Sequence, residues 1–136
     1  MKKYLHIVAK VLFSLVILLP VVGATGLLGE ATRDLYNTDE AFAFIQLIDG
    51  LAVYISYMMA AVHIIALIAL WTKREALAAL LELPIVFNIV AFHLVLDGGL
   101  FTAGAVLADL MLLLNLYLIW KNRETLKLLI APQTIT

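Results

Sequence analysis

The chain has 136 residues, 65% of them hydrophobic and only 14% charged, and its mean hydropathy is +1.07, far above that of an average soluble domain. Its net charge of −1 is no nucleic-acid signature. The absence of cysteine excludes disulfides, thiolate metal sites and thiol redox chemistry, so any redox role needs a bound or borrowed cofactor.

The first apolar run, Leu5 to Leu28, follows the basic start "MKK" and ends near "VVGATG", which superficially resembles a signal peptide. It is long for a signal core and is predicted as a retained helix. The glycines of "GATGLLG" (Gly23 to Gly29) lack the strand-to-helix context of a phosphate loop, and are expected to permit close helix contact and end the span.

The long connection from Gly29 to about Gly50 opens polar and turn-rich, "GEATRDLYNTDE". Thr38 or Asp39 can cap a short outer-loop helix through "EAFAFIQLI", with Phe42, Phe44, Ile45 and Ile48 as an apolar face on the membrane surface or over the bundle mouth. The alternative is a second span that begins early and runs through Gly50. Three further apolar runs follow: Leu51 to Trp71, Ala76 to Leu96 and Leu100 to Trp120. Each reaches the roughly 20 residues needed to cross a hydrocarbon core of about 30 Å. The joints "TKRE" and "DGG" are so short that sequential spans must be antiparallel neighbours. The expected fold is all-α, an integral-membrane antiparallel four-helix bundle occupying 1–136 as one domain.

Lys2, Lys3, Lys10, Lys73, Arg74, Lys121, Arg123 and Lys127 all lie at the termini or in the joint after the second span, which four crossings place on one side. The other side has Arg33 against Glu30, Asp34, Asp39, Glu40 and Asp97. The positive-inside rule then puts both termini in the cytoplasm, and the expected location is a bacterial inner membrane.

Ionisable groups at bilayer depth cost on the order of 2.5–3.5 kcal/mol on insertion scales, so they normally face the bundle interior. Counting helical rise from the basic ends matches His63 with Glu82 in depth, puts Asn115 slightly nearer the basic side, and sets Asn88 and Asp109 near the midplane. His93, Asp97 and Asp49 belong to the outer third. Around the third helix, Glu82, Val86, His93 and Asp97 share a sector of about 60°, with Asn88 roughly 120° away.

Each group has a plain reading beside a functional one. Asn88 and Asn115 can be interhelical hydrogen-bond glue, Asp97 a turn residue, and Asp109 either a paired group or a proton site. His6 and Lys10 can snorkel to headgroups. His63 with Glu82 can exchange a proton or serve only as an ion pair that sets helix register. Haem is not expected, because His63 and His93 differ by roughly 13 Å in depth. No tight ligand spacing points to a metal, and no nucleophile-base pair involves Ser14 or Ser56.

"LPIVFNIVAFHLVLDGGL" (Leu83 to Leu100) and "LNLYLIWKNRETLKLL" (Leu114 to Leu129) carry a Pro-Ile-Val-x-Asn-Ile-x-x-Phe-His pattern and an Asn-Leu-Tyr-Leu-x-Trp end before a basic tail. In these the chain resembles the DoxX-like small membrane proteins, matching at Pro84, Asn88, Phe92, His93, Asn115, Tyr117 and Trp120. It departs where that family often carries Lys-x-x-Glu in the second helix: Ala60 and His63 stand there, and Glu82 is new.

The resemblance implies a four-span accessory subunit of a quinone-linked redox or oxidative-stress complex, and the absence of cysteine argues against a self-contained thiol redox enzyme. The depth-matched polar column and the resemblance together make His63, Glu82, Asn88, His93, Asp109 and Asn115 the expected lining of a polar interior that binds a small lipophilic ligand such as a quinone. A membrane scaffold and a small proton-coupled transporter, which would need homo-oligomers for a pore, are the alternatives.

Overall fold

A computed structural model describes residues 2–130. In chain order they form α1 (Lys2–Ala24), a 3-10 turn (Arg33–Leu35), α2 (Asp39–Gly50), α3 (Val53–Trp71), α4 (Glu75–Val95), α5 (Ala103–Lys121) and α6 (Arg123–Ile130). No strand is present among the described residues. Helices α1, α3, α4 and α5 are long and apolar enough to cross a membrane, the architecture of a multi-pass membrane protein.

Hydropathy and backbone part company at the end of α1. The apolar run continues to Leu28, but Gly26 takes φ +76°, a left-handed conformation open to glycine, and the helix stops at Ala24. Helix α2 is a separate element. Thr38 caps it, its hydroxyl accepting from the Ala41 N–H at 3.1 Å. At its end the N–H groups of Leu51 and Ala52 both turn to the Leu47 carbonyl, which breaks the helix before α3 begins. Of the two readings open in the sequence, the outer-loop helix is the one adopted. Helix α6 was not expected; the fourth spanning helix ends at Lys121 and the chain turns at Asn122, whose N–H bonds back to Leu118 and Ile119.

The four spanning helices stand at the corners of a square. α1 packs on α3 and α5, α4 packs on the same two, and α1 and α4 lie diagonally opposite. Between them sit Phe13, Val16 and Ile17 of α1, Ala66, Ala69 and Leu70 of α3, Ala78, Ala79 and Val86 of α4, and Met111 and Leu118 of α5. Alanine dominates the contacts of α3 and α4, as expected where lipid supplies no hydrophobic drive and close backbone approach must supply van der Waals contact instead. Leu5, Leu15, Ile68, Phe87 and Leu113 face outward, forming a surface suited to acyl chains.

Carboxylates tie both ends of this square. At the basic end Glu75, the first residue of α4, accepts from Lys10 Nζ at 2.8 Å and contacts His6 Nε2 at 3.0 Å. His6 and Lys10 are therefore tied across the bundle diagonal and do not merely snorkel. Trp71 Nε1 donates to Ser14 Oγ at 2.9 Å beside them, joining α3 to α1.

At the loop end Asp97 is only 1% exposed, a buried group where a surface turn residue was expected. One oxygen accepts the Asn37 backbone N–H at 2.7 Å and the other pairs with His93 Nδ1 at 2.9 Å. Thr38 Oγ donates to the Leu96 carbonyl next to them, so the long loop is latched to the end of α4.

Burial of Asp97 favours its neutral form, but the Asn37 N–H and the His93 ring outweigh that and hold its carboxyl below the usual carboxylate range. A carboxyl depressed on folding stabilises fully above its unfolded value and less as pH falls through the folded one. Hydrogen exchange of the loop 29–38 in micelles should therefore show protection that is complete at neutral pH and lost progressively below about pH 4. Asp97→Asn should remove most of it at all pH values, a loss of roughly 1.5–3 kcal/mol for a charged acceptor.

Candidate functional site

His63 and Glu82 meet across the α3/α4 interface. The Thr72–Arg74 joint folds α4 back on α3, so residues about two turns on either side reach the same depth. His63 Nδ1 lies 2.9 Å from both carboxylate oxygens of Glu82, and both side chains are fully buried.

Charge accounting limits the forms this pair can take. A net charge in a dry, low-dielectric interior is prohibitively costly, so the pair is net neutral: imidazolium with carboxylate, or neutral imidazole with carboxylic acid. With both Glu82 oxygens 2.9 Å from Nδ1, a single proton shared between Nδ1 and the carboxylate leaves the other ring hydrogen on Nε2. That Nε2 is buried with no hydrogen-bond partner.

Asn115 of α5 adds an orphan of the opposite sense. Its Nδ2 donates to the Ala79 carbonyl at 3.2 Å, while its Oδ1 is buried without a partner. Ala79 and Glu82 are one turn apart on α4, so a spare donor and a spare acceptor flank the same turn. Leaving each unsatisfied costs about 1–3 kcal/mol, a local deficit in an otherwise well-tied core.

His93 belongs to the loop end, bonded to Asp97 four residues on. Gly104 in the first turn of α5 is what admits its ring: a Cβ there would stand 2.9 Å from His93 Cε1. The ring borders a cavity of about 190 Å³ walled by Val16, Pro20, Ile89, Gly104 and Met111.

A larger cavity, about 880 Å³, opens between the end of α1, the long loop, α2 and the start of α3. Pro20 borders both spaces. Ile45, Val53 and Pro20 form apolar wall, and Tyr36, Gln46, Asp49, Ser56 and Tyr57 bring polar groups. Burial, followed by the negative charges of Asp49 and Asp97, pushes the Tyr36 phenol up, so it remains a neutral hydrogen-bond donor.

The structure thus splits the expected set. It joins His63 to Glu82, puts Asn115 one turn along, and places His93 at the opposite end of the bundle. Asn88 is exposed on the outward side of α4 and Asp109 is half-buried on α5. Neither takes part in the side-chain hydrogen bonds between α3, α4 and α5; the exposure of Asn88 departs from its expected place in the interior, while Asp109 keeps a half-buried one. Gln46 and Tyr57 escaped sequence reasoning; the only signal was a polar side chain at one helical turn from Asp49 and another one residue past Ser56. Among the described residues no three His, Asp or Glu side chains converge as a metal site. No family model, curated protein or solved structure matches the chain.

If His63 and Glu82 form a closed pair, Glu82→Ala or His63→Ala alone should cost about 3–5 kcal/mol in reversible unfolding from mixed micelles, because each strands its partner. His63→Leu with Glu82→Leu should cost less than either single change. Additive losses would show that the two side chains do not depend on each other.

Proposed function

We propose that this chain is a small-molecule-binding inner-membrane protein with cytoplasmic termini. It serves as an accessory subunit of a quinone-linked redox complex, in keeping with its resemblance to DoxX-like proteins. The observation that carries the reading is the cavity of about 880 Å³ at the loop end, within the range of sites that enclose drug-sized molecules.

Its lining suits an amphiphile with an aromatic or isoprenoid body and an oxygen-bearing head. Pro20, Ile45 and Val53 cover apolar surface, Tyr36 and Tyr57 offer phenol donors, and Gln46 and Ser56 both donate and accept. Asp49 and Glu30 add acceptors, which suits a head with hydroxyl donors, as a quinol has. A bound quinone would supply the two-electron chemistry; the residues of this chain hold and orient its head.

On this reading the ligand sits above the bundle. His63 and Glu82 set helix register, and His93 with Asp97 holds the loop that roofs the cavity. A scaffold role is the second reading, favoured by the complete burial of His63 and Glu82.

Mass spectrometry of lipophilic molecules extracted from protein purified in mild detergent separates these readings. A near-stoichiometric quinone or related amphiphile is expected, reduced at least about tenfold by Tyr57→Ala with Gln46→Ala, a loss of about 1.4 kcal/mol or more. Retention of the ligand in that variant would sink the cavity assignment, and an empty wild-type protein would favour the scaffold.

A further inference from the structure

We infer that the chain pairs with a second copy of itself along the outward face of α4, through reciprocal hydrogen bonds between the two Asn88 side chains. Asn88 is exposed well inside a spanning helix. Among the described residues it is the only exposed Asn, Gln, His or charged side chain between the ends of α1, α3, α4 and α5. Acyl chains offer an amide no partner, so a carboxamide there is satisfied by another protein group.

The surroundings of Asn88 select the partner. Leu77, Leu80, Pro84, Asn88, Ala91 and Val95 follow one another at steps of three or four, the seam of a helix pair. All but the half-buried Ala91 are exposed. Pro84 has no N–H, so the Leu80 carbonyl on this same face lacks its helical donor, and Ala91 leaves room for close approach.

Two copies with one orientation in the membrane are related by a two-fold axis along the bilayer normal. That axis brings each residue of the seam to the depth of its own counterpart. A charge on the seam would then meet itself and repel, and the seam carries none. A carboxamide is one of the few side chains that complements itself, each amide donating to the oxygen of the other. A partner helix with only donors or only acceptors would leave half of Asn88 unmatched. This pairing needs nothing from the cavity at the loop end and leaves it open.

The absence of cysteine makes the test clean. In liposomes at low protein density, Ala91→Cys should oxidise to a covalent dimer, while Leu113→Cys on the outward side of α5 should not. Adding Asn88→Leu should cut the cross-linked fraction about fivefold to thirtyfold, and Asn88→Gln should retain most of it. Because Asn88 lies outside the core, Asn88→Leu and wild type, both diluted in detergent to the monomer, should unfold at the same temperature, which shows that the loss reflects pairing and not folding. Equal cross-linking through Leu113→Cys, no effect of Asn88→Leu, or cross-linking of Ala91→Cys in cells to a different membrane protein would each overturn the proposal.

Discussion

A hydrocarbon surround gives a polar side chain no solvent to fall back on, and the bundle is organised by how each of its buried polar groups meets that condition. His63 and Glu82 meet it with one another. With 2.9 Å from Nδ1 to both oxygens and no exposure on either side, the pair admits little sliding of α3 along α4. A shift of one residue would rotate either group by about 100° and strand it. The alanines around it confer closeness without direction; the pair confers register.

The two ends of the bundle use the same device with more solvent nearby. Glu75 gathers His6 and Lys10 from the diagonal helix, so the square cannot shear at its basic end. Asp97 gathers Asn37 and His93, and with the Thr38 to Leu96 bond this holds the long loop and the start of α2 over the bundle. The large cavity exists because that loop is held off the end of α1, where the glycine turn at Gly26 carries the chain out of its helix. A fixed frame below and a latched loop beside it hold the walls of this cavity in place, which would lower the ordering cost for a ligand of the proposed kind.

The spans were legible because hydropathy reads length directly, and the meeting of His63 with Glu82 was legible because the short joint at Thr72–Arg74 leaves one antiparallel register. The cap at Thr38 was legible from residue type. Asn88 was harder: its angle from Glu82 was correct, but an angle says nothing of which sector faces in until neighbours are known. Asp97 resembled a turn residue because its main partner, Asn37, is 60 positions away in sequence. The cavity is made of loop and helix ends whose meeting no periodicity encodes, and its polar residues carry no local pattern. Asn88, His93 and Asn115 stood out in the sequence as polar residues within apolar runs, which does not reveal that they occupy three separate environments.

The register of α3 on α4 rests on His63 and Glu82 as a closed, net-neutral pair with the Nε2 hydrogen sealed from water. Nitrogen-15 NMR of histidine-labelled protein in bilayers, transferred to D2O, tests it most directly. A sealed pair gives a His63 signal with hydrogen on Nε2 that exchanges over hours, while His6 and His93 exchange at once. Immediate exchange at His63, or a signal with bare Nε2, would contradict it and would mean that water reaches the pair.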